Sequence, residues 1–582
     1  MSTENQSVEL RDTYDVAVLG AGSGGLAAAV FAALEGARVL LVERTEYVGG
    51  TSAYSAATTW VPNTRLAADV DAEDSPEKVS GYLDRAIGNR SPKAMREAFL
   101  ANGPEAIHTL MDRTDAQFRA RPFHPDYLYE IEGSTSRGRA IEPVPFDAKP
   151  LGRDLQLIRP TIPEFTILGG LQVDRDDIGH LLKMGKSLKS LAYSIKLIGG
   201  YYIDRLRFGR ATRLVMGNAL IGRLLLSARK LGVDIVTQTR VASIVPDGDG
   251  HLLDLETPDG SRRIRVSGGI ILASGGFARH AERRSQMLRK PTPEFSPSAP
   301  GHTGELHDIV LGLGAVYGKG AAENAFMAPC SLRKRKDGTT AVFPHFVFDR
   351  SKPGIISVGK DGRRFTNESR SYHEFSIAQF ETGNIPAFLI ADARSIAKYG
   401  IGMVRPGTSE KGLAPFLDDG YLVSGTTPGD LARKLGLDAE TFEQTLARFN
   451  TFAKAGKDED FHRGETVYEC GNGDPEHKPN ASLGALETGP YYAVKLFPSD
   501  IGSATGLAAD ENARLIDADG NPIDGLYACG NDMQSIMGGV YPGPGITIGP
   551  AITFGYIAAR HAAARAKSGQ QKQQSKLGEE AA

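Results

Sequence analysis

Near its start the chain changes hydrophobic period twice in quick succession. Tyr14-Asp15-Val16-Ala17-Val18-Leu19 is a short, largely apolar run, the mark of a parallel strand buried on both faces. Leu26 to Glu35 is alanine-rich with helical character, and Arg38-Val39-Leu40-Leu41-Val42 is a second apolar run that ends on Glu43. Further strands are predicted over Asp234 to Val236 and Arg240 to Val245. A helix is predicted over Ala551 to Ala566, with Pro550 near its first turn.

Between the first strand and its helix lies Gly20-Ala21-Gly22-Ser23-Gly24-Gly25, a G-x-G-x-x-G. Each glycine has a task. Gly20 permits the tight turn, Gly22 lets the backbone approach a pyrophosphate, and Gly25 lets helix and strand pack closely. The helix N-terminus then offers free N–H groups to phosphate, and Glu43 follows where an acid can bind ribose hydroxyls. A lone glycine motif says little. Strand, glycines, helix, strand and acid in succession predict a dinucleotide site.

Composition narrows the rest. At 582 residues the chain is too long for one core, so two or more domains are expected. It is 41% apolar and 24% charged with a formal net charge of −3, which gives no electrostatic footprint for a nucleic-acid partner. Cys330, Cys470 and Cys529 share no C-x-x-C spacing and read as reduced thiols, in keeping with a cytoplasmic compartment. The histidines form no cluster, so no metal site is expected. The opening Met1-Ser2-Thr3-Glu4-Asn5-Gln6 is too polar for a secretory signal. No uninterrupted apolar run reaches the roughly 20 residues a bilayer demands. The tail after Ala566, with its polar Gly569 to Gln574 stretch, is expected to be disordered.

Arg44-Thr45 leads to Gly49-Gly50-Thr51-Ser52, which resembles the E-(K/R)-x…G-G-x-S loop of flavoproteins that lies along the FAD pyrophosphate and ribityl chain. The later strands carry the same resemblance. It implies an adenine-reading amide near Val241, a return to the nucleotide at Ala273 before Gly275-Gly276, and ribityl and pyrophosphate contacts at Gly530 and Asn531. Ile546, Thr547 and Ile548 precede the last helix, whose positive end would stabilise an anionic reduced flavin. With Gly20, Gly22, Ser23, Gly24, Gly25, Glu43, Arg44, Gly50, Thr51 and Ser52, these are the expected cofactor-binding residues. FAD is expected without a covalent link, because no His or Cys lies between Gly49 and Asn63.

Over roughly Tyr14 to Ala566 the chain is similar to the fumarate reductase-like flavoproteins, and within them it most resembles the 3-ketosteroid Δ1-dehydrogenases. Asp126 to Gly133, Gly362 to Tyr372 and Tyr541-Pro542-Gly543-Pro544-Gly545 carry the likeness. Fumarate reductases follow their G-x-R-F-x-N-E run with a proton-donating arginine, whereas here Tyr372 stands four residues past Glu368. They also place an arginine in the C-terminal loop to hold a dicarboxylate, and Met537 to Gly549 contains no basic residue. One departure from the family is Ser55-Ala56-Ala57, where relatives continue S-G-G or S-G-A.

The resemblance implies an α/β fold, a Rossmann-like FAD-binding domain with an inserted α+β catalytic domain. The first part of the FAD-binding domain is expected at 1–298, the catalytic domain at 299–487 behind the Pro291–Pro300 connection, and the second part at 488–566. The implied reaction is 1,2-desaturation of a 3-ketosteroid. Tyr372 would remove the α-proton, Tyr127 would support it, and Tyr541 with the Gly545 N–H would hold the ketone oxygen. Tyr129 is a neighbouring candidate for the Tyr127 role. Rival readings are a Δ4-dehydrogenase, an enoate reductase of the fumarate reductase type, and a non-catalytic flavin module. No NADPH site is legible, so an external acceptor such as a quinone is expected. Within the first part, Phe165 to Arg213 reads as an insertion mixing apolar and basic residues. It is either a membrane-surface segment or a solvated helix over the core.

Overall fold

The computed structural model describes the backbone of residues 10–580 and the side chains of residues 10–571. The opening hexapeptide lies outside the described residues. Strand β1 (Thr13–Leu19) enters helix α1 (Ser23–Leu34), and β2 (Val39–Val42) follows. Helices α2 (Arg175–Leu182) and α3 (Leu188–Phe208) form the insertion, and α4 (Met216–Lys230) returns the chain to the sheet. Strands β3 (Asp234–Val236), β4 (Arg240–Asp247), β5 (Gly250–Thr257) and β6 (Gly260–Leu272) complete the first pass.

The nucleotide sheet runs β3-β2-β1-β6-β5-β4, parallel from β3 to β6 and antiparallel beyond. Residues 14–19 of β1 are all buried, which explains a strand without polar alternation. Helix α1 is buried from Ser23 to Ala32, and it packs on both α4 and the last helix as well as on the sheet. A helix so enclosed needs small residues on every side, hence its alanines.

The second sheet is built from β7 (Ala325–Lys334), β8 (Thr340–Pro344), β9 (Ile355–Val358), β10 (Ala387–Asp392), β11 (Val423–Gly425) and β12 (Tyr491–Ser503), in the order β8-β7-β12-β10-β9 with β11 on β12. Helix α5 (Tyr372–Thr382) packs on β7 and β12. The chain then rejoins the first sheet through β13 (Arg514–Ile516) and β14 (Pro522–Ala528), which pairs parallel with β6. Helix α6 (Ile548–Glu580) closes the molecule against α1.

The catalytic sheet begins at Ala325. It ends at Ser503, not at 487, because β12 hydrogen-bonds to β7 and β10 rather than to the nucleotide sheet. The tail expected to be disordered after Ala566 continues α6 to Glu580, where Lys, Gln and Glu, good helix formers, predominate.

Candidate active site

A single cavity of about 670 Å³ runs from the glycine turn after β1 to the catalytic sheet. Its nucleotide half is lined by Gly20, Gly22, Ser23 and Gly24, by Glu43 and Arg44, and by Gly50, Thr51 and Ser52. Val241, Ala273, Gly530, Asn531, Thr547 and Ile548 line it too. Two expected residues do not. Ile546 is buried in the main core. Gly25 serves packing alone, because a Cβ there would lie 1.8 Å from the Gly20 carbonyl oxygen.

Local chemistry fits FAD. A Cβ on Gly22 would meet no protein atom within 4 Å, so the space beside that glycine is open to a pyrophosphate. The Glu43 carboxylate accepts from Ala21 N at 3.0 Å and Thr45 N at 2.8 Å, which aims it across the ribose position with lone pairs to spare. Ser52 Oγ donates to Ser23 Oγ at 2.8 Å and ties the two cofactor loops together. Arg44 is more peripheral, paired with Glu305 at 2.7 Å. In the departing loop, Ala57 is buried at φ 52, in the left-handed region that favours glycine.

Sequence reasoning missed two histidines here. The His302 side chain is buried against Gly50 and Gly275 and faces the cavity, with Nδ1 lacking a partner among the described residues. Burial pushes its pKa down to about 4, so it is neutral. His307 lies 3.0 Å from Asp532, whose carboxylate also accepts from Ser274 Oγ at 2.9 Å and Gly276 N at 2.7 Å. That carboxylate joins the turn after β6 to the turn after β14. Isolated histidines have no spacing signature, so neither was legible.

The other half of the cavity holds the tyrosines. Tyr127 and Tyr541 stack with ring centroids 5.5 Å apart, and Tyr372 meets both edge-on at 5.5 and 5.1 Å. Tyr127, not Tyr129, lines the cavity. A fourth tyrosine, Tyr468, stands 5.5 Å from Tyr127 and was not singled out in the sequence because no motif surrounds it. Apolar walls come from Phe326, Phe346, Val347, Pro344 and Phe165.

Each tyrosine has a fixed mount. The Pro542 carbonyl accepts from Tyr127 N at 2.8 Å and from the Tyr82 hydroxyl at 2.6 Å, so the segments that carry Tyr82 and Tyr127 are clamped to the C-terminal loop. Asp126 beside it accepts from Trp60 Nε1 at 2.9 Å and from Arg139 at 2.7 Å. Tyr372 is the first residue of α5, whose N-cap Ser371 accepts from Glu374 N at 3.3 Å. Upstream, Arg364 makes two-pronged pairs with Glu368 and Asp458, all at 2.8–3.0 Å and buried. Arg350 donates to the Glu368 carbonyl at 2.6 Å. The R-F-T-N-E run therefore holds the backbone that delivers Tyr372.

Gly545 sits at φ 91 with its Cβ position 2.3 Å from the Thr58 carbonyl oxygen, so no side chain fits. It lines the cavity, and its N–H donates to no partner among the described residues. Burial pushes the Tyr541 phenol up to about 12 against hydrogen bonds from Tyr372 and Thr547. Burial also raises Tyr127 and Tyr372, and each is raised further by its neighbours' charge. In the cavity by itself, all three are neutral phenols.

A profile of the FAD binding domain family matches residues 15–548. The chain is 35% identical over 557 residues to the 4-oxocyclohex-2-ene-1-carboxylate 5-dehydrogenase of Sinomonas cyclohexanicum, covering 94% of this chain and 93% of that protein. It is 35% identical over 579 residues to the 3-oxosteroid 1-dehydrogenase of Mycolicibacterium smegmatis, covering 95% and 98%. The crystal structure of the 3-ketosteroid Δ1-dehydrogenase from Sterolibacterium denitrificans with 1,4-androstadiene-3,17-dione superposes with a TM-score of 0.88 at 30% identity, covering 95% of this chain and 100% of the other. Taken with the nucleotide cradle, these likenesses mean that the chain belongs to the FAD binding domain family alongside the 3-oxosteroid 1-dehydrogenases, and that FAD is its cofactor.

Proposed function

We propose that this chain introduces a 1,2 double bond into the A ring of a 3-ketosteroid. The observation that carries the reading is a cluster of three phenols, Tyr372 and Tyr541 buried and Tyr127 partly so, with a Gly545 N–H that has no partner among the described residues, in an apolar-walled cavity continuous with the flavin site. Tyr541 and the Gly545 N–H are placed to hold the ketone oxygen and stabilise the enolate that develops there. Tyr372 takes the proton from the α-carbon, C2, and Tyr127 hydrogen-bonds to it as it ionises and recovers. Bound FAD, held by the glycine turn, Glu43 and the Gly50–Ser52 loop, would supply the two-electron acceptor for the hydride that leaves the β-carbon, C1. The aromatic walls exclude water from the enolate and accommodate fused rings beyond the one being oxidised.

The FAD is held without a covalent link, and its electrons pass to an external acceptor of the quinone type. No helix among the described residues is long and apolar enough to cross a membrane. The insertion instead lies on an anionic membrane surface. Ten of the fourteen large apolar side chains exposed among the described residues fall within it, including Leu182, Leu188, Ile195 and Leu206. Lys183, Lys186, Lys189 and Lys196, also exposed, flank them.

The test is anaerobic mixing of the FAD-loaded protein with androst-4-ene-3,17-dione. Bleaching of the flavin with one equivalent of the 1,4-diene is expected. Bleaching with a different product would replace the regiochemistry, and no bleaching by any cyclic ketone would end the enzymatic reading.

A further inference from the structure

Two nitrogen atoms in the nucleotide half of the cavity are buried with nothing to bind. Arg159 Nε and His302 Nδ1 each lack a hydrogen-bond partner among the described residues. Both side chains line the cavity, and the two residues are only 5% and 7% exposed. Neither belongs to the glycine turn or to the loop after Glu43.

Arg159 runs alongside that loop. Its backbone N–H donates to the Val48 carbonyl at 2.9 Å. Nη2 donates to Thr45 Oγ1 and to the Tyr47 carbonyl, and the guanidinium lies 5.6 Å from the centre of the Tyr47 ring. Nη1, like Nε, has no partner among the described residues, and no carboxylate there lies within ion-pair distance. Arg44 and Arg240, which line the same half, are already matched. Arg44 pairs with Glu305 at 2.7 Å, and Arg240 with Glu305 at 2.8 Å and Glu256 at 3.1 Å. A buried guanidinium without a counter-ion is costly, and an anion in the cavity would remove that cost.

The His302 ring packs among the cofactor turns. A Cβ on Gly275 would lie 2.8 Å from its Nε2. A Cβ on Gly50 would lie 3.6 Å from that Nε2 and equally 3.6 Å from Gly22 Cα, so the imidazole stands beside the glycine turn. The Thr51 hydroxyl assigns its tautomer. Thr51 Oγ1 accepts from Ala299 N at 2.9 Å, which leaves its own hydrogen for His302 Nε2 at 3.3 Å. With Nε2 accepting, the ring proton is on Nδ1, and the unpartnered atom is a donor.

Both unfilled groups donate, so the atoms they await are acceptors. The diphosphate is the part of FAD built from anionic acceptors, whereas the ribose hydroxyls suit the Glu43 carboxylate. Helix α1 offers the diphosphate its N-terminal N–H groups but carries no basic side chain to balance the charge. We propose that Arg159 and His302 clamp the FAD diphosphate, Arg159 as its counter-ion and His302 through Nδ1–H. The clamp is independent of which ketone the enzyme oxidises.

The test reads the cofactor rather than turnover. In the FAD-loaded protein, Arg159→Met and His302→Leu should each shift the ³¹P resonances of bound FAD. Each should also raise the Kd for FAD at least about tenfold. Arg159→Lys keeps the charge and His302→Asn keeps a donor near the Nδ1 position, so both should recover part of the affinity. Added salt should speed FAD release from the parent more than from Arg159→Met. Competition against FAD by ADP and by adenosine isolates the diphosphate. The parent should favour ADP, and Arg159→Met should bring the two affinities together by weakening ADP alone.

If Arg159→Met does not fold, Arg159→Lys and the two His302 variants decide by the same ³¹P shifts and ADP-to-adenosine ratio. Unmoved ³¹P resonances, or adenosine weakened as much as ADP, would overturn the clamp. An effect in the variants of one residue only would overturn the pairing and leave that residue as the diphosphate contact.

Discussion

Tyr372 carries the heaviest demand at the scale of single residues, because a phenol is a poor base and burial makes it poorer. Its pKa is raised well above the ordinary 10, so the basic form grows as pH rises and is scarce near neutrality. If the ionised phenol removes the proton, turnover should climb about tenfold per pH unit from pH 7 to above 9. A flat profile over that window would reject an ionised Tyr372 as base. Tyr372→Phe should retain FAD yet lose turnover by roughly 10²–10⁴-fold, the range for a lost general base. If the Tyr541 hydroxyl polarises the ketone as proposed, Tyr541→Phe should affect substrate binding and rate together. Near-normal flavin reduction in Tyr372→Phe would pass the role to Tyr127.

Elements translate these side chains into geometry, and the glycine turn before α1 shows how differently two glycines act. Gly25→Ala drives a methyl into the Gly20 carbonyl at 1.8 Å, so strand and helix must part and the fold should suffer. Gly22→Ala meets nothing in the protein. It should leave the melting temperature of the FAD-free protein within a degree or two, while weakening FAD by at least about tenfold, because the methyl takes the pyrophosphate's place. Equal loss of stability in both variants would contradict this division. The buried Arg364, Glu368 and Asp458 cluster is the corresponding device ahead of α5. Burial by itself would raise the Glu368 carboxyl, but the charges of Arg364 and Arg463 outweigh it and hold it low. Asp458 is likewise held low, by Arg364 against its burial. Their stabilisation is full above the ordinary carboxylate range and is lost as pH falls through and below it. Arg364→Met leaves the buried Asp458 without a cation and Glu368 with Arg463 alone, and should cost about 3–5 kcal/mol by denaturant unfolding. A loss under 1 kcal/mol would mean that solvent reaches the cluster.

For the whole molecule, the proposed membrane contact rests on the insertion. Leu188, Ile195 and Leu206 are 86%, 61% and 88% exposed, so replacing all three with serine should hardly alter the melting temperature. Co-sedimentation with phosphatidylglycerol vesicles at low salt should fall at least about tenfold, because each exposed leucine carries on the order of 1.5–3 kcal/mol of burial energy. Parent protein that ignores such vesicles would remove the membrane from the proposal. The domain boundaries belong to this scale as well. β12 looks alike in composition to the segments around it, and only its hydrogen bonding to β7 and β10 assigns it to the second sheet.

The sequence by itself determined what short-range backbone geometry requires. Gly20, Gly22 and Gly25 are needed where the chain turns, meets a pyrophosphate or crosses a strand, and no other residue does these tasks, so their spacing is readable. The pairing of nucleotide pieces at both chain ends was readable for the same reason, as were Tyr127, Tyr372 and Tyr541 within their motifs. Tertiary structure alone decided how far apart those tyrosines stand, because the Pro542 carbonyl and the Arg364 cluster set it across hundreds of residues. It alone placed Tyr468 by Tyr127 and brought Arg159 and His302 to one cavity. Lone side chains of common type leave no periodic or spacing signal. Their meaning comes from which partners they lack, and a missing partner is a property of the folded chain.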